Sequence, residues 1–210
     1  MSSTMASTVN YRDTHFEWAN LTPIRGKPTY ETVHKLWNEV KANARSMYSN
    51  IGGGTHGHLG LVLTTAQYAA ISTTNFTRPD HPGPLTIPSS ATVVQTSTLR
   101  DAHIKYLRVF REVMGVEQAL IQKIVATIGA TYLEDVRDRT TNSINISVSA
   151  LLVHLQEMYG TLMPHEFQEK EDEAKRMTYN PRDPIASVFL VIDDLVELSA
   201  LAATPLSNPQ

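Results

Sequence analysis

Apolar residues recur at three- and four-residue spacing in segment after segment of this 210-residue chain, a period that fits one face of a helix and not a strand. Val33, Leu36, Trp37, Val40, Ala44, Met47 and Tyr48 follow Pro28 and Thr29 in this way and predict a helix over 29–48. Val94, Leu99, Ala102, Tyr106, Val109, Phe110 and Val113 form one broad stripe over 91–114, with Gly115 placed to end it. Ala119, Leu120, Ile124, Ile128, Leu133 and Val136 predict a further helix over 116–137, bent at Gly129. Val148, Leu151, Leu152, Leu155 and Met158 line a helix over 147–159, and Gly160 sits where a left-handed cap would close it. After Pro164 comes a helix whose exterior, QEKEDEAKR, reads as a solvated face. Asp183 and Pro184 have the form of an N-cap and a first-turn proline ahead of Ile185, Val188, Phe189, Ile192, Leu195 and Val196. A short helix over 64–73, opened by the capping box of Thr64 and Gln67, completes the set. The expectation is an all-α helical bundle of about seven helices, in one lobe or two, with an irregular Gly/Pro-rich N-terminal region.

Three stretches resist that period. Residues 1–28 read as a polar tail and an irregular arm, because Phe16, Trp18, Leu21 and Ile24 are interrupted by Pro23, Gly26 and Pro28. Phe16 and Trp18 are the candidate interaction anchors there, whereas Trp37 and Phe189 fall on helical stripes and are expected in the core. The segment NIGGGTHGHLG holds five glycines in eleven positions, and TRPDHPGPLTIP holds four prolines in twelve, so both are connections. The polar run RDRTTNSIN marks the expected boundary between an N-terminal lobe, 29–138, and a C-terminal lobe, 139–210.

Composition narrows the chemistry. With no cysteine, the chain has no disulfide framework, thiolate nucleophile or zinc knuckle. A formal charge of −3 gives no overall attraction for a polyanion. There is no apolar run near 18 residues and no signal-peptide pattern, so a cytoplasmic protein with no membrane contact is expected.

Motif by motif, catalysis finds no foothold. Gly52, Gly54 and Gly57 match GxGxxG, with Asp80 beyond, but a helix precedes them where a dinucleotide fold needs a strand. His56, His58 and His81 are the imidazoles a zinc or nickel ion would use, yet no carboxylate pattern accompanies them and no metal or other cofactor is expected. No GxSxG or SxxK sequence supplies a nucleophile. Lys105, Arg108 and Arg111, with Glu112 beside them, read as a solvated helix face and not as a nucleic-acid stripe. A non-enzymatic protein is the expectation.

The helix LLVHLQEMYG, Leu151 to Gly160, resembles a segment of the Gag capsid proteins of copia-type LTR retrotransposons, with Leu152 where that family often has Trp. The following NPRDPIASVFLVIDDLVELSALAATPL is similar to the family's paired helices, and ALIQKIVATIGATYLEDVRD to the helix upstream of them. THGHLGLVLTTAQYAAIS resembles an N-terminal block of Gag-like reading frames in some microbial retroelements. The resemblance implies a capsid protein that self-assembles through helix faces into a homo-oligomeric shell around the element's RNA. A separate basic or zinc-knuckle segment would grip the RNA, either beyond Gln210 in a longer polyprotein or lost in a Gag remnant. Two other readings of the residues stay open: a helical adaptor that binds a partner protein, and a small metal-binding helical protein using the His56 and His58 loop.

Overall fold

The computed structural model describes residues 16–201, apart from 163, 179–181 and 183. The expected tail over 1–12 and the expected cap at Asp183 lie outside the described residues. Every regular element described is helical, as expected. In chain order they are α1 (Tyr30–Ser46), single 3-10 turns at Ile51–Gly53 and Leu59–Leu61, α2 (Thr65–Ile71), α3 (Val93–Thr127), a 3-10 segment at Ala130–Val136, α4 (Val148–Tyr159), α5 (Pro164–Arg176) and α6 (Ala186–Leu201).

The two helices expected over 91–114 and 116–137 are one. α3 runs for 35 residues straight through Gly115, about 52 Å at 1.5 Å per residue. Glycine costs about 1 kcal/mol inside a helix. Val113, Val116, Leu120 and Ile124, all fully buried, each contribute roughly 1.5–3 kcal/mol, so the helix continues. It ends at Thr127, and Gly129 then opens the 3-10 segment that brings Leu133 into the core. Thr92 and Gln95 start α3 with the same reciprocal box that Thr64 and Gln67 form at α2.

The core lies where α1, the second half of α3 and α4 meet. Val33, Leu36 and Val40 face Leu120 and Ile124, and Leu151, Leu152 and Leu155 close the layer. This cluster is continuous across position 139, because α4 packs directly on α1. The expected lobe boundary therefore coincides with no break in the core. Residues 138–143 form an ordered turn instead, in which the backbone N–H groups of Thr140 and Thr141 both donate to Asp138 Oδ1 at 2.8 Å. Gly160 ends α4 with φ −93°, not in the left-handed conformation expected of it. A side chain there would strike Gln156, whose amide donates to the Gly160 carbonyl at 3.0 Å. A smaller cluster of Tyr30, Leu162 and Phe167, joined by Leu195, attaches α5 and α6 to the first turn of α1.

Candidate functional site

The glycine-rich loop is a cap on α1. A helix C-terminus leaves its last carbonyls without partners, and here the His58 N–H reaches back to the Ala44 carbonyl at 2.8 Å. Gly57 has φ +54°, and a β-carbon on it would stand 2.9 Å from the Ala44 carbonyl oxygen and closer still to those of Arg45 and Met47. Only glycine lets the loop pass so near the helix end. Tyr68 of α2 holds the other side of the loop by donating its hydroxyl to the Gly52 carbonyl at 3.0 Å.

The structure sends the three histidines to three places. His56 Nε2 lies 3.0 Å from the Ile71 carbonyl, and His81 Nδ1 accepts from the Gly83 N–H at 2.9 Å while its ring meets Phe110 edge-on. His58 is fully buried, with Nδ1 3.3 Å from the Met47 carbonyl and Nε2 3.5 Å from Glu112 Oε1. The second distance is too long for a good hydrogen bond, and Nε2 has no hydrogen-bond partner among the described residues. Burial lowers the pKa of His58 and raises that of Glu112, against an opposing pull from Arg108 on the carboxylate. The imidazole is sealed from solvent between the loop and α3, and the loop is tied to α1 by the His58 N–H. Among the described residues no group of three or more His, Cys, Asp or Glu is gathered around a common point.

The arm that carries Phe16 and Trp18 is stitched down by polar side chains placed on otherwise apolar faces. Asn43 Oδ1 accepts from the Trp18 N–H at 2.7 Å, and Glu39 accepts from both the backbone N–H and the hydroxyl of Thr22 at 2.8 and 2.5 Å. Lys123 donates to the Ala19 carbonyl and places its ammonium 5.3 Å from the Phe16 ring. Phe16 thus packs on the core, while the Trp18 side chain remains 43% exposed. Nothing in the helical stripes marked Glu39, Asn43 and Lys123 as fasteners except that each interrupts one.

Beyond the loop, the proline-rich segment returns along α3. Arg78 grips the buried Glu117 with both terminal nitrogens, Nη1 donating to Oε1 at 2.9 Å, and His81 sits at Phe110. Residues 78–92 span at most about 46 Å when extended, enough to cover the roughly 37 Å from Glu117 back to Thr92. Burial raises the pKa of Glu117, while Arg78 and the Val148 N–H favour its charged form.

Two helix faces are left open. The first half of α3 projects from the core with no buried residue between Val93 and Glu112, and Tyr106 is 64% exposed. On α6, Phe189 is 59% exposed, so the core position expected for it is not where it lies. Trp37 does pack partly against the core. A groove of about 890 Å³ separates the start of α1 from α5 and α6, lined by Tyr30, His34, Asp172, Arg176 and Leu195 and bridged by the Lys170 to Glu31 ion pair. That bond is the main cause raising the Lys170 pKa. No described helix is long and apolar enough to cross a membrane. Comparison with known proteins finds no matching family model, no matching curated protein and no matching solved structure.

Proposed function

We propose that this chain is the self-assembling capsid protein, Gag-like and non-enzymatic, of a copia-type LTR retrotransposon, and that it encloses the element's RNA in a cytoplasmic particle. One observation carries the reading: an all-helical chain leaves two apolar helix faces, on α3 and α6, open to solvent. Exposed contiguous apolar surface favours association, and many weak copies of one contact become strong in a closed array. The resemblance of Leu151 to Gly160 and its flanking helices to Gag capsid segments points the same way. Net charge −3 suits a shell, and on this reading a separate basic segment grips the RNA.

Negative-stain microscopy of the purified chain at high concentration, with and without RNA, tests this reading. Rings, tubes or closed particles are expected. Single molecules under every condition would contradict it and favour an adaptor that uses the same faces for another protein.

A further inference from the structure

We propose that the projecting half of α3 docks on α6 of a second copy of this chain, head to tail. Leu99, Ala102, Tyr106 and Val109 follow one another at steps of three, four and three residues. The same rhythm continues into Val113, Val116 and Leu120, which are buried against α1 and α4. Among the described residues the seam that builds the core is thus extended into solvent, with Leu99, Ala102 and Tyr106 exposed and Val109 half-buried. α6 carries a second seam of this kind. Ile185, at its leading edge, is followed by Phe189, Ile192 and Val196 at steps of four, three and four, and all four are about half exposed or more. Its neighbour Leu195 packs on the chain's own Phe167 cluster. A helix with apolar seams on more than one side is ordinarily covered on each.

Charge and length select the pairing. Over residues 93–111 α3 is basic, and its Lys105, three residues from Ala102 and four from Val109, flanks the seam; the α6 sequence has no Lys or Arg, and its Asp193, four residues from Phe189 and three from Val196, flanks the other seam. Pairing α3 with α3, or α6 with α6, offers only one sign of charge at the edge of these seams; pairing α3 with α6 offers Lys105 and Asp193 as an opposite pair. The open length of α3 is about 28 Å and that of α6 about 24 Å at 1.5 Å per residue. A contact between two different surfaces leaves each copy one free α3 and one free α6, so it propagates into a ring or an open array. A four-layer helix pair buries less than the roughly 1,600 Å² of a standard interface, so each contact is weak and its strength comes from repetition.

This contact rests on the self-assembly reading, and the test separates the two. One variant, Leu99→Asp with Tyr106→Asp, breaks the α3 seam; another, Phe189→Asp with Val196→Asp, breaks the α6 seam. All four side chains are exposed, and unchanged circular dichroism and melting temperature verify folding. By sedimentation velocity, wild type grows with concentration and each variant alone stays at the mass of one chain. Their equimolar mixture gives a species of two chains and nothing larger, because it retains one intact α3 seam and one intact α6 seam. Should either seam variant lose its fold, Lys105→Glu leaves the seam apolar and weakens wild-type association severalfold. Seam variants that assemble as wild type does, an α6 variant that still grows alone, or an unaffected charge variant would overturn this contact while self-assembly stands. A wild type that remains a single chain throughout would overturn both.

Discussion

The two halves of α3 carry the same apolar spacing and meet opposite surroundings. Val113, Val116, Leu120 and Ile124 are fully buried, whereas Leu99, Ala102 and Tyr106, on the same seam, are exposed. Spacing specifies which side of a helix is apolar; it does not specify whether the cover is this chain or another. Around the inner half, buried charged side chains fasten other segments to the helix, with Glu117 holding Arg78 and Lys123 holding the arm. The outer half carries no such fasteners to α1 or α4 among the described residues and keeps its basic side chains in water. That contrast separates a half built into the core from a half whose apolar seam is exposed, the half proposed above to dock on a second copy.

Truncation should divide the halves most sharply. Leu120→Ala removes fully buried methyl groups from the centre of the core and is expected to lower the unfolding free energy by about 2–5 kcal/mol, read from urea denaturation. Gly57→Ala comes next: a β-carbon in a left-handed backbone, pressed on three carbonyls at the end of α1, should cost roughly 1–3 kcal/mol in the same measurement.

A pH-dependent effect at His58 follows. Because burial lowers its pKa, the unfolded chain binds a proton near pH 6.5 that the native chain refuses. The stability His58 contributes is complete above that pH and is lost as the pH falls through its lowered native value. Glu112, with its raised pKa, acts in the opposite direction: the native chain takes up that proton first as the pH falls toward the ordinary carboxylate range. Comparison with His58→Gln isolates the histidine part, and wild type should lose more stability than the variant between pH 7.5 and 5. Equal losses would contradict the burial of the His58 imidazole as a source of pH dependence. The smallest change in stability is expected for Tyr106→Asp in the outer half, within about 0.5 kcal/mol of wild type. A loss comparable to that of Leu120→Ala would erase the distinction between the halves.

Much of the fold is legible in the sequence because helical period, caps and breakers are local signals. The Thr64 to Gln67 box, the Ser147 start of α4 and the course of α1 all follow from neighbours a few residues away. Gly115 misled for the converse reason: its local cost is outweighed by burial of Val113 and Val116 against helices far away in sequence. The apparent boundary at 138–143 is a polar turn held by its own Asp138, and polarity alone does not distinguish such a turn from a linker. The glycine loop reads from sequence only as a connection that matches GxGxxG, because spacing conceals what the glycines approach, here the carbonyls of α1. Phe189 shows the limit of the stripe, since an apolar seam is written the same way for a core and for an interface.

Amide hydrogen exchange as a function of protein concentration measures the difference between the regions most directly. With increasing concentration, exchange should slow across 93–110 and 186–201, while the already protected amides of 113–127 keep the same rates. Exchange independent of concentration over both outer segments, at concentrations where the mass of the species also stays that of one chain, would contradict the assignment of these faces to self-assembly.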